Sequence, residues 1–283
     1  MPSLTLLGQS VVSGLLAGGL YALLALGLSL SWGLLRLVNL AHFALAFLGA
    51  YLTYQLGTAG GLAPWTSALC IVPLFFVLGL GLHGIFTWFR VKEFTSLLVT
   101  FGVTVIVESL VQWYWTADFR RYETPWASHS FRVGAFYVPA LELAACLTAT
   151  ALALGTWAWL RFTFVGKALR ASAEDPAIAA AFGVNHRAQG FLLSGVAAAY
   201  AGVAGAFIAL ISTLAPSQMW AWLGVVFAVV IIGGLANPIG ALLAGLLIGV
   251  SESVTMAVAA PAWAPLVSFS ILIGLLILRP GRA

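Results

Sequence analysis

Four stretches of this chain, 1–35, 37–89, 188–251 and 253–278, contain no Asp, Glu, Lys or Arg. A membrane span needs about 20 predominantly apolar residues, so each stretch holds at least one span and two of them hold several. Water-soluble domains average about 25% charged residues; this chain carries 7%, with 62% hydrophobic. A bundle of membrane-spanning helices is the arrangement that fits. Ala, Leu and Gly dominate and strand-length alternation is missing, so the spans read as helices and not barrel strands.

Gly and Pro punctuate the chain into predicted helices at 5–33, 38–57, 66–89, 95–115, 138–160, 190–212, 219–235, 239–258 and 265–279. An eight-span arrangement with one short segment re-entrant stays open. The segment 161–189 carries Arg161, Lys167, Arg170 and Arg187, and Arg90, Lys92, Arg279 and Arg282 fall at ends on the same side. Arg120, Arg121 and Arg132 on the other side are diluted by Asp118 and Glu123. The positive-inside rule then places 161–189 and the C-terminus in the cytoplasm and the N-terminus outside. The net charge of +4 therefore reports topology and lipid headgroup contact, with no nucleic acid implied. Met1 to Ser10 has no basic residue ahead of its apolar run, so the first span is expected to be retained and not cleaved as a signal peptide. Cys70 and Cys146 lie in apolar runs and frame no disulfide scaffold.

Small residues four apart, Gly14 and Gly18, Ser194 with Ala198 and Gly202, and Ala201 with Gly205, share helix faces. They suit either close helix packing or the lining of a path. Enzyme signatures are missing: there is no His-Glu-x-x-His and no nucleophile elbow. Gly166–Lys167 resembles the end of a phosphate-binding loop, but Ala168 stands where Ser or Thr is required. No catalytic residue, metal site or cofactor is expected, and energy has to come from a partner or an ion gradient.

The most informative segment runs from Thr163 to Asn185. Asp175 reads as an N-cap, Pro176 as the first helical residue, and Gly183 as the left-handed stop of a short helix over 176–182. Ile178 and Phe182, four apart, share its apolar face. Such a helix either docks into a groove on another protein or lies on lipid headgroups. Polar residues within spans are costly and usually face a bundle interior. Asn39 and His42 are expected on adjacent turns near the second helix's cytoplasmic end. Glu108, with Gln112 one turn on, and Glu252 sit within the fourth and eighth helices. These four either tie helices together or form a gate on a solute path; His83 fits either reading.

The segment Gly166-Lys-Ala-Leu-Arg-Ala171, with Asp175-Pro176 and Gly183-Val-Asn185, resembles the cytoplasmic coupling loop of branched-chain amino acid ABC importer permeases of the LivH type. Gly18 to Leu28, Leu35 to His42 and Leu48 to Tyr51 are similar to that family's first two spans. Phe227 to Ala241, followed by Glu252, is similar to its Gly-Gly-Leu segment. Three positions depart from the family pattern: Phe43 and Ala44 replace Gly-Glu after His42, and Val225 replaces a Lys.

The resemblance implies an all-α polytopic permease with one transmembrane domain over 1–283 and a coupling loop at 161–189, in the bacterial inner membrane. It implies two ABC ATPase subunits, a second permease and an extracytoplasmic solute-binding protein as partners. Arg170, Asp175, Pro176, Ile178, Phe182, Gly183 and Asn185 would make the ATPase coupling, and Asn39, His42, Glu108 and Glu252 the path or gate. Branched-chain amino acids would be the solute. Urea or amides, or an ion-driven secondary transporter using Glu108 or Glu252, are the alternatives.

Overall fold

A computed structural model describes residues 3–91 and 93–278. Lys92, Arg279 and Arg282, which contribute to the charge reading, lie outside the described residues. The first helix, α1 (Leu4–Leu35), is followed by α2 (Ala41–Thr58), α3 (Pro64–Trp88) and α4 (Glu93–Trp115). A hairpin of β1 (Ser130–Val133) and β2 (Phe136–Pro139) leads into α5 (Ala140–Phe162). Two short helices, α6 (Phe164–Glu174) and α7 (Pro176–Ala181), precede α8 (His186–Ile211). The chain closes with α9 (Ala221–Gly233), α10 (Pro238–Val258) and α11 (Ala264–Leu278). The fold is an all-α polytopic membrane bundle, and each of the nine long helices read from hydropathy is present.

Among the described residues, eight helical stretches are long and apolar enough to cross a membrane, with α9 extended by the 3-10 turn Pro216–Trp220. The ninth helix, α2, carries His42, Tyr51, Tyr54 and Gln55 and is less apolar for a physical reason. It is enclosed by α8, α3 and α4, so protein and not lipid solvates it. In α1 and α8 67% of the spanning window is buried, against 11% in the last span, which separates an inner layer from a lipid-facing one.

Glycine sets how closely the inner helices approach. A Cβ on Gly14 would lie 2.6 Å from Val250 Cα, and one on Gly18 would lie 2.7 Å from Leu246 Cα. Gly249 meets the backbone of Gly14 and Gly18 in return, so α1 and α10 cross backbone to backbone. Gly79 of α3 lies against Ser194 and Ala198, Gly202 against Phe75 and Ile71, and Gly205 against Ala46 and Ala50 of α2. Of the two uses open to these small residues, the structure employs them for packing.

Backbone leaves regular geometry at two places inside the bundle. After Arg36 (φ 54°) the segment Leu37–Leu40 is non-helical, and α2 starts three residues later than the pattern predicts. Non-helical backbone at membrane depth survives only where protein satisfies it. Here α4 does so: Ser96 and Thr100 hydroxyls donate to Val38 O (both 3.3 Å), and Leu40 N donates to Thr100 Oγ1 (3.0 Å). Between α9 and α10, Ala236 (φ 57°) donates its N–H to Ser29 O at 3.2 Å. These recessed segments are the nearest the bundle comes to the re-entrant alternative.

Successive long helices alternate in direction, so Arg36, Arg90, Arg161, Lys167, Arg170 and Arg187 fall at one end of the bundle. The opposite end carries the hairpin, clamped to α1 by Gln9. Its amide accepts from Tyr137 N and donates to Tyr137 O, each at 2.9 Å. At that end Tyr122 packs over Gly57 and donates to Leu62 O at 3.3 Å, and burial pushes its phenol pKa up.

Candidate functional site

At the cationic end, Asp175 Oδ1 accepts from Ala177 N (2.9 Å) and Ile178 N (3.0 Å), with Pro176 opening α7 as the sequence predicts. Gly183 (φ 82°) stops the helix, while Gly183 N donates to Ala180 O and Val184 N to Ala179 O. Ile178 is 57% and Phe182 85% exposed, so the apolar face of α7 is uncovered. Asn185 serves α8: its Oδ1 accepts from Ala188 N at 3.1 Å. The ring Nε2 of His186 meets Pro176 O at 2.6 Å and ties α7 back onto α8.

The helix α6 was not separated from its connector by sequence reasoning. It rests Leu169 among Leu30, Leu34, Leu160 and Leu193, and Thr163 caps its start through Gly166 N (3.0 Å). Its far end is held by Arg36, whose Nη2 donates to Ala173 O at 2.9 Å. Arg170 stands apart from the uncovered face of α7. With Arg161 and Trp157 it lines a cavity of about 430 Å³ against Asn237 and Pro238 at the start of α10.

The four polar residues read as a path or gate lie in three separate places. Asn39 precedes the first residue of α2 and lies in the non-helical segment, where its carbonyl accepts from His42 N at 3.3 Å. His42 Nε2 lies 2.9 Å from Leu24 O, so Nε2 carries the hydrogen, and the ring fills the space that the lack of a Cβ at Gly27 leaves. Asn39 Oδ1 and His42 Nδ1 are buried with no hydrogen-bond partner. Glu108 accepts from Trp220 Nε1 at 2.9 Å, tying α4 to the turn before α9. Glu252, 6% exposed, accepts from Tyr21 Oη (2.7 Å) and from Ser268 Oγ, so both carboxylate oxygens are engaged. His83 links α3 to α8, its Nδ1 bonded to Ser194 Oγ at 3.0 Å and its ring edge-on to Phe191.

A cavity of about 300 Å³ at the hairpin end was invisible to sequence reasoning. It lies among α1, α5, the end of α8, α9 and α10, and Ser13, Tyr21, Glu142, Ser212, Trp222 and Ser253 supply its polar and aromatic lining. Tyr21 and Trp222, with rings edge-to-face at 5.8 Å, also line a second cavity of about 140 Å³ completed by Ala221 and Val225. This aromatic pair borders both spaces, and Tyr21 is held by its hydrogen bond to Glu252. The signal that could have found it was Glu142, a carboxylate within a predicted span.

Comparison with known proteins agrees with this architecture. Residues 10–276 match the family described as branched-chain amino acid transport system / permease component. The LivH permease protein of the high-affinity branched-chain amino acid transport system of Escherichia coli K12 is 24% identical over 290 residues, covering 96% of this chain and 93% of that protein. A probable LivH of Methanocaldococcus jannaschii is 27% identical over 263 residues, covering 87% of this chain and 81% of that protein. BraD of Pseudomonas aeruginosa is 22% identical over 297 residues, covering 99% and 96%. No solved structure matches. A multi-pass bundle that matches this family from its first helix to its last is a transporter subunit, and the chain belongs to the branched-chain amino acid transport system permease family.

Proposed function

We propose that this chain is the membrane subunit of an ATP-driven importer of branched-chain amino acids. The observation that carries the reading is α7: a short helix, capped at both ends, that leaves Ile178 and Phe182 uncovered at the cationic end of the bundle. An apolar face held rigidly outside the membrane is what a helix-in-groove contact requires. The positive-inside rule puts that end in the cytoplasm, where an ATPase would sit. Residues 1–283 act as one transmembrane domain, with 161–189 as the coupling loop. Two ATPases bind this loop and its counterpart on a second permease, while a solute-binding protein delivers solute at the hairpin end. ATPase closure pulls α7, and α6 carries the pull to Arg36 and so to the recessed start of α2, beside Asn39 and His42.

The solute is proposed from the names of the relatives and from the walls. A strongly charged solute would shed water against apolar helices at several kcal/mol. A zwitterion with an apolar side chain carries no net charge and can satisfy both ends on a few polar groups. Cells carrying the complete transporter are expected to take up labelled leucine, and cells lacking this subunit to lose that uptake while keeping any urea uptake. Loss of urea uptake with leucine uptake intact would overturn the amino-acid reading.

A further inference from the structure

The lining of the larger hairpin-end cavity includes one charged side chain, Glu142, in the first turn of α5. Around it stand hydroxyls from Ser13, Ser212 and Ser253, and apolar walls from Leu16, Leu20, Ile211 and Trp222. A volume of about 300 Å³ falls at the small end of ligand pockets. A carboxylate in a largely apolar recess with no lining cation gains most from a ligand that brings a positive group. We propose that this cavity is the first solute subsite inside the permease and that Glu142 receives the ammonium group of a small amino acid. The serine hydroxyls are placed to meet its carboxylate, and the apolar walls its side chain. Tyr21 and Trp222 border both this cavity and the smaller one, so solute moving from one to the other would pass that pair.

This inference rests on the amino-acid reading, and it extends that reading to the chemistry of recognition. Urea brings no cation to Glu142, and a solute with a carboxylate alone would be repelled by it. Glu142 is thus a specificity-determining residue and not part of the ATPase contact.

The test uses the complete transporter in a background with Cys70 and Cys146 replaced, with Ala17→Cys as a reporter on the cavity wall. Leucine is expected to slow modification of that cysteine by an impermeant thiol reagent, and urea or 4-methylpentanoate, which lacks the ammonium group, is not. Glu142→Gln is expected to remove the protection and lower leucine uptake by about tenfold or more, while Glu142→Asp retains most of both. If leucine gives no protection in a transporter that imports it, or Glu142→Gln imports leucine normally, the subsite is wrong and the amino-acid reading stands. A transporter that imports urea and no amino acid would overturn the reading itself. Should Glu142→Gln fail to reach the membrane, the protection measured with Glu142 intact decides the matter alone.

Discussion

Phe182→Glu is expected to abolish solute uptake and the co-purification of ATPase subunits while the permease stays in the membrane at its normal level. Phe182 is 85% exposed, so the substitution costs the free subunit little. In the assembled transporter it removes an aromatic anchor and places a charge in an apolar groove. Loss of such an anchor costs about 2 kcal/mol or more, roughly 30-fold in affinity. Gly183→Val attacks the same contact through the backbone. Gly183 holds φ 82°, and a Cβ there would meet nothing within 4 Å, so conformational strain is the whole effect. For a side chain in the left-handed region that strain is about 1–2 kcal/mol, and the helix end reorients to relieve it. Gly183→Asn, which tolerates this conformation, is expected to keep most uptake. Undiminished uptake in both Phe182→Glu and Gly183→Val would remove α7 as the ATPase contact.

The second large effect falls on folding. Gly249→Leu is expected to lower the folded amount in the membrane severely and to depress the melting temperature of the purified subunit. Its side chain would enter the backbone of Gly14 and Gly18, neither of which can swing aside. Overpacking against movable side chains costs about 1–3 kcal/mol, and a backbone collision belongs at or above the upper end. The loss propagates because α1 also carries Tyr21, Ser29 and Arg36, which anchor Glu252, the α9–α10 turn and the end of α6. Gly102→Leu is the control: a Cβ at Gly102 meets nothing within 4 Å, and stability is expected to hold within about 0.5 kcal/mol. Equal melting temperatures for Gly249→Leu and the unaltered subunit would contradict the close α1–α10 crossing.

Much of this fold was legible because its signals are local. Hydropathy runs located the long helices, and Asp175, Pro176 and Gly183 announced α7 through capping and a left-handed stop. Local signals misled where tertiary contacts decide. The start of α2 was drawn over Asn39 because 38–57 reads as one apolar run, while the hydroxyls of Ser96 and Thr100, some 60 residues away, support a non-helical backbone there instead. The helix α6 was legible and was passed over: Val165, Ala168 and Leu169 recur at helical spacing, with Lys167, Arg170 and Glu174 off that face. The four path residues were chosen for their cost in lipid, and that criterion finds buried polar groups whether or not they meet. Tyr21 and Glu252 lie 231 residues apart, and nothing in the spacing of either points to the other. Glu142 lies near a helix end, where a carboxylate costs little in lipid, so the same criterion passed over it.

Transport by the purified assembly in proteoliposomes tests the central claim most directly. The permease pair and ATPases are reconstituted with binding protein on the outside, and labelled leucine uptake is followed with ATP sealed inside or omitted. Uptake is expected only with internal ATP, to persist when ionophores collapse every ion gradient, and to vanish with Phe182→Glu. Uptake that proceeds without ATP and stops when a proton or sodium gradient is collapsed would contradict the account.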